Sequence, residues 1–109
     1  MTAQELFDTV ATHLITQNKQ SLSPDGVCKY RGAGGLKCAI GVLIPDDKYK
    51  TWMDCGGNAL HLVLETIGLG EHFYLCRKLQ VVHDATEPHE WRGELSNVAA
   101  KFGLQYEHK

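Results

Sequence analysis

The sequence is short of what several common protein classes need. Its 11 Lys and Arg are outnumbered by 13 Asp and Glu, giving a formal net charge of -2 over 109 residues. A general nucleic-acid binder carries a basic surplus instead, although a local basic face remains compatible with this balance. No stretch approaches the roughly 18 consecutive apolar residues of a membrane span. The opening MTAQELFDTV has neither the basic leader nor the apolar run of an export signal. The expectation is therefore a cytoplasmic protein with no membrane and no general nucleic-acid partner. The four cysteines include no close C-x₂₋₄-C pair of the kind that zinc sites use. A disulfide framework belongs to exported chains, so reduced thiols are expected. There is no repeat, low-complexity run or linker, and residues 1-109 read as a single globular domain.

What is present begins with helical periodicity. Leu6, Phe7, Val10, Ala11 and Leu14 recur at three- and four-residue intervals over residues 2-17, the stripe of an amphipathic helix. Thr2 and Glu5 have the spacing of a capping box. SLSPDG, with its Ser, Pro, Asp and Gly, marks a turn. Leu60, Val63, Leu64 and Ile67 predict a helix from Asn58, closed by Gly68 and Gly70. Another runs from about Glu71 with Leu75, Cys76, Leu79, Val82 and His83 on one face. Trp91, Leu95, Val98, Ala99 and Phe102 predict the last, with Gly103 and Leu104 as its C-terminal stop. After Pro45, Asp46 and Asp47 suit the start of a short helix through KYKTWM.

The stretch CKYRGAGGLKCAIG, residues 28-41, breaks the helical pattern. Val27-Tyr30 and Leu36-Ile40 are strand-compatible runs around a glycine-rich loop, so a β-hairpin is predicted. Pairing Tyr30 with Leu36 sets Cys28 opposite Cys38 and Lys29 opposite Lys37. Alternation then places Cys28, Tyr30, Leu36 and Cys38 on a core face and Lys29, Arg31 and Lys37 on a cationic one. The expected fold class is α+β and mostly helical: an N-terminal helix, a small two-stranded hairpin, and three to four further helices around one core.

CKYRGAGGLKCAIGVLIPDDKY, LQVVHD and the later W…L…VA…FGL together resemble short proteins encoded by bacteriophages and prophages. In that group a Tyr-Arg-Gly turn, a Lys-Cys-Ala-(Ile/Val)-Gly segment, an apolar-Ile-Pro-Asp stretch and a Leu-Gln-x-x-His-Asp helix recur in this order. The resemblance covers most of the chain and implies no catalytic residue.

The residues leave several chemistries open. Zinc could recruit Cys28 with Cys38, or the stripe of His72, Cys76 and His83; buried cysteine packing as a small hydrophobe is the simpler reading. Metal and cofactor are accordingly expected to be absent. A cysteine hydrolase or transferase would use Cys38 as nucleophile and His83 as base. Asp84, the helical neighbour of His83, points about 100° away and is poorly placed to orient it. His83 then hydrogen-bonds a buried backbone group. RGAGGLKC lacks the G-x-x-x-x-G-K-[ST] order of a phosphate loop, yet Lys29, Arg31 and Lys37 could still meet a small anionic ligand. Tyr30, Tyr49, Trp52, Phe73 and Tyr74 can either complete the core or mark a partner surface. The favoured expectation is a non-enzymatic phage-type protein acting by stoichiometric contact with a host or defence macromolecule. Lys29, Tyr30, Arg31 and Lys37 would bind that protein partner.

Overall fold

The computed structural model describes residues 1-54 and 60-106. Four α-helices carry the fold: α1 (Ala3–Gln17), α2 (Leu60–Thr66), α3 (Phe73–Ala85) and α4 (Trp91–Lys101). Thr2 and Glu5 do close a capping box at the start of α1, each satisfying the other's backbone N–H. The apolar stripes then point inward. Leu6, Phe7, Val10, Ala11 and Leu14 of α1 meet Leu75, Cys76, Leu79 and Val82 of α3 and Trp91, Leu95, Val98 and Ala99 of α4 in one core cluster. Helix α3 packs against each of the other three. The glycine stop of α4 is a Schellman turn: Gly103 has φ +66°, and Leu104 N–H reaches back to Ala99 O at 2.8 Å. Asn58, the predicted start of the second helix, lies outside the described residues.

Among the described residues there is no strand and no sheet, so the α+β expectation is wrong and the fold is all-helical. The hairpin fails because each of its two runs finds other partners. Val27-Lys29 folds back on the preceding turn, with Lys29 N–H on Ser21 O at 2.9 Å and an isolated bridge joining Leu22 to Cys28. The second run bends after Cys38 into a 3₁₀ turn, Gly41–Leu43. What remains between the runs is one isolated bridge, Arg31 to Lys37, two residues out of the predicted register. Cys28 and Cys38 are therefore not cross-strand neighbours.

The helix expected directly after Pro45 is also displaced. Residues 46-48 form a turn, and a 3₁₀ turn follows only at Thr51–Asp54. Asp46 turns toward Arg31, at 2.7 Å, instead of capping a helix. Residues 18-54 thus form an irregular strap across the helical core, and its backbone polar groups are satisfied by local turns and by side chains rather than by a ladder.

Candidate functional site

The strap is fastened at two points, and the motif residues supply both. The first fastening centres on Asp54. Its carboxylate accepts Tyr30 N–H at 2.6 Å, Arg31 N–H at 3.3 Å and the Tyr49 hydroxyl, while its carbonyl accepts Lys29 Nζ at 2.8 Å. Arg31 donates from Nη2 to Ile44 O at 3.1 Å, pairs with Asp46, and lays its guanidinium over the Tyr49 ring at 4.6 Å. Lys37 approaches the same Asp46 at 3.9 Å. Lys29, Arg31 and Lys37 are all half-buried. Burial raises the Tyr30 phenol well above its ordinary range. The three cations of the expected contact face, and Tyr30 named with them as a binding residue, are thus drawn into the strap's own structure.

The second fastening ties the strap to α3. Gln80 accepts Ile40 N–H at 3.2 Å and donates to Asp84 at 2.8 Å. His83, 0% exposed, accepts Ser21 N–H on Nε2 at 2.8 Å and contacts Asp84 through Nδ1 at 2.6 Å. A backbone N–H can only donate, so Nε2 is the unprotonated nitrogen and Nδ1 carries the proton to Asp84. His83 also stacks on Trp91, with ring centroids 5.7 Å apart. The expected bond from His83 to a buried backbone group is present. The expectation that Asp84 is badly placed to orient the ring fails: the short aspartate side chain bends back along the helix surface to its neighbour.

This arrangement has the composition of a cysteine-enzyme site but not its connectivity. Cys38 is 0% exposed, and burial pushes its thiol up to about 12, although Gly41 N–H donates to Sγ at 3.2 Å. A nucleophilic thiolate needs the opposite shift and a free imidazole lone pair. The His83 lone pair is occupied by Ser21. Burial likewise raises Cys28 to about 11 and Cys76 to about 12.

Metal binding meets the same obstacle. Among the described residues, one group of three donor side chains converges: Cys28, His83 and Asp84, with ligand atoms within 4.8 Å of one another. A metal on His83 Nδ1 would move the proton to Nε2, where it would face the Ser21 N–H. The donor set therefore does not suit a metal unless that buried hydrogen bond breaks. The other candidate trio does not assemble, because His72 is turned to Met1 O at 2.9 Å and Cys76 lies in the core.

The aromatic residues divide. Tyr30, Tyr49 and Phe73 pack against the core, whereas Trp52 and Tyr74 are exposed. Tyr74 belongs to an outward face of α3 that the sequence reading passed over. Tyr74, Lys78 and Val81 follow one another at four and three residues, the complement of the buried stripe, and all are exposed. Lys78, Val81 and Val82 form one wall of a groove of about 210 Å³ whose other wall is Glu94, Asn97, Val98 and Lys101 of α4. Asp54, Ser21, Gln80 and Gly41 were passed over too. The signal for Gln80 was its place in LQVVHD, one helical turn before Asp84; Asp54 gave none. No family model, curated protein or solved structure matches the chain. Among the described residues no helix is long and apolar enough to cross a membrane.

Proposed function

We propose that this chain is a non-catalytic binding protein that acts by stoichiometric contact with a protein partner. The resemblance to phage-encoded proteins makes a host or defence macromolecule the class of that partner. The observation that carries the reading is the exposure of Tyr74, at 74%, and Val81, at 49%, two turns apart on one helix whose opposite side is locked into the core. Large side chains held on a rigid element lose little entropy on binding, and aromatic residues with flanking cations are the usual centre of an interface. Arg77 and Lys78 flank them, and neither makes an ion pair with a described residue.

The cationic loop serves the partner less directly in this reading. Lys29, Arg31 and Lys37 already hold Asp54, Asp46 and Tyr49, so an incoming carboxylate or phosphate would have to displace those contacts first. This also weighs against a small anionic ligand at the loop. The hydrolase or transferase alternative has one point in its favour, the Asp84 contact that would orient His83. Against it stand the occupied His83 Nε2 and the buried, protonated Cys38.

Site-resolved alkylation at neutral pH, followed by mass spectrometry, separates the two readings without knowledge of a substrate. The expected result is slow labelling with Cys38 among the slowest, since a thiol raised to about 12 is almost wholly protonated. Rapid, selective labelling of Cys38 would sink the binding reading and restore the enzyme. A tagged chain expressed in bacteria should also retain its partner at a fixed ratio, unaffected by Cys38→Ala and lost on Tyr74→Asp.

A further inference from the structure

The groove between α3 and α4 has a shape and a charge that single out one kind of occupant. The exposed part of its floor is Val81, while Val82 and Val98 line it from the core beneath, 3% and 8% exposed. Lys78 stands on one rim and Lys101 on the other, with Glu94 between them in sequence on α4. Arg77 adds a third exposed cation beside the α3 rim. Neither lysine, nor Arg77, makes an ion pair with a described residue. Asp84, the acid nearest along the helix on the Arg77 side, is turned to His83 and Gln80 instead. Lys78, Lys101 and Arg77 against Glu94 and Asp84 leave this face with a basic surplus on a chain whose formal net charge is -2.

The dimensions agree with a helix. The α3 wall runs from Lys78 to Thr86, just past the helix end, and the α4 wall from Glu94 to Lys101, each about 10–12 Å at a rise of roughly 1.5 Å per residue. That length accepts about two turns of a third helix. We propose that the groove docks an acidic amphipathic helix of the partner protein. Its apolar stripe would lie on Val81 and continue to Tyr74, two turns earlier on α3, and its carboxylates would meet Lys78 and Lys101. The inference rests on the binding function proposed above and names the partner chemistry for it. Helix-in-groove recognition of this type reads apolar side chains at three- and four-residue spacing, while rim charges set orientation and association rate. A nucleic acid would use the cations but leave the aliphatic floor unfilled, which is why a protein helix is the better occupant.

The test uses the full chain and a fluorescein-labelled synthetic helix of about 16 residues, long enough to hold helical structure. It carries Leu at three- and four-residue spacing and Glu on both flanks. A second peptide has Lys for every Glu, and a short single-stranded DNA serves as a purely anionic competitor. Fluorescence anisotropy should show saturable binding of the acidic peptide alone, with amide shift changes centred on residues 74-82 of α3 and 94-101 of α4. The double variant Lys78→Glu with Lys101→Glu should weaken the acidic peptide by about tenfold or more and gain binding to the Lys peptide. Both sites are exposed, so a circular dichroism spectrum like that of wild type is expected; Val81→Asp provides a second variant aimed at the apolar floor.

Shift changes elsewhere on the surface, or an affinity indifferent to the charge exchange, would overturn the proposal. So would DNA that shifts the same residues more strongly than the peptide, or concentration-dependent shifts there without any peptide, which would assign the groove to a second copy of the chain. Any of these results with Cys38 still slow to alkylate removes this site and leaves the binding function standing.

Discussion

Gly41 ends the LKCAIG segment, and its replacement by alanine tests whether the strap is held as tightly as its contacts imply. A Cβ at this position would lie 2.9 Å from the Tyr30 carbonyl carbon, 3.2 Å from its Cα, and closer still to its oxygen. These are backbone atoms, so no side chain can swing aside. Tyr30 itself cannot retreat cheaply, because its N–H is fixed to Asp54 at 2.6 Å and its carbonyl accepts Cys38 N–H at 3.4 Å. Gly41 is buried between Cys38 and Ile44, bonding to both. Forced overpacking costs roughly 1–3 kcal/mol and occasionally more; a backbone obstacle belongs at the upper end, about 3 kcal/mol. At roughly 4–5 °C per kcal/mol for a domain near this size, the melting midpoint should fall by about 12–15 °C.

Gly93 is the control. It lies exposed within α4, and an added Cβ meets nothing within 4 Å. Alanine there should raise the midpoint by a few degrees, since glycine inside a helix is about 0.8–1 kcal/mol less favourable. Thermal melts followed by far-ultraviolet circular dichroism read both variants. A Gly41→Ala midpoint within about 3 °C of wild type would refute the reasoning, as would both variants moving in the same direction.

Three further outcomes are expected. His83→Leu strands the buried Ser21 N–H and should lower stability by about 2–3 kcal/mol in urea titrations; a change below about 0.5 kcal/mol would mean that Ser21 finds another acceptor. Asp54→Asn removes the charge that gathers Tyr30, Arg31 and Tyr49. It should destabilise by roughly 1.5–3 kcal/mol and speed hydrogen exchange at the Tyr30 and Arg31 amides, whereas unaltered exchange would deny Asp54 its role. Burial raises the folded Cys38 and Cys76 thiols from about 9 to about 12. Their contribution is therefore whole below about pH 9 and lost as pH climbs toward about 12. Cys76→Ala should flatten part of that alkaline decline in pH-dependent denaturation; an equally steep decline would show that Cys76 does not contribute to it.

The helical half of this molecule was legible in the sequence. Spacings of three and four identified the buried faces of α1, α3 and α4 residue by residue, because a helix satisfies its own backbone hydrogen bonds and needs only a continuous apolar stripe to pack. Its capping box and glycine stop are equally local. Residues 18-54 are the opposite case. Val27-Tyr30 and Leu36-Ile40 have strand-like composition, but a strand exists only through its partner, and here the backbone partners are Asp54, Gln80, Gln17 and Ser21. Those contacts join positions 15 to 40 residues apart, and no periodicity encodes them. The same distance in sequence hid the candidate site. Composition offered Lys29, Arg31 and Lys37 as free cations, and tertiary structure engaged them with Asp46 and Asp54. It left Lys78 and Lys101 facing one groove from different helices. Which charges a folded chain keeps for itself depends on the acceptors that folding brings within about 4 Å, and that proximity belongs to the packed structure alone.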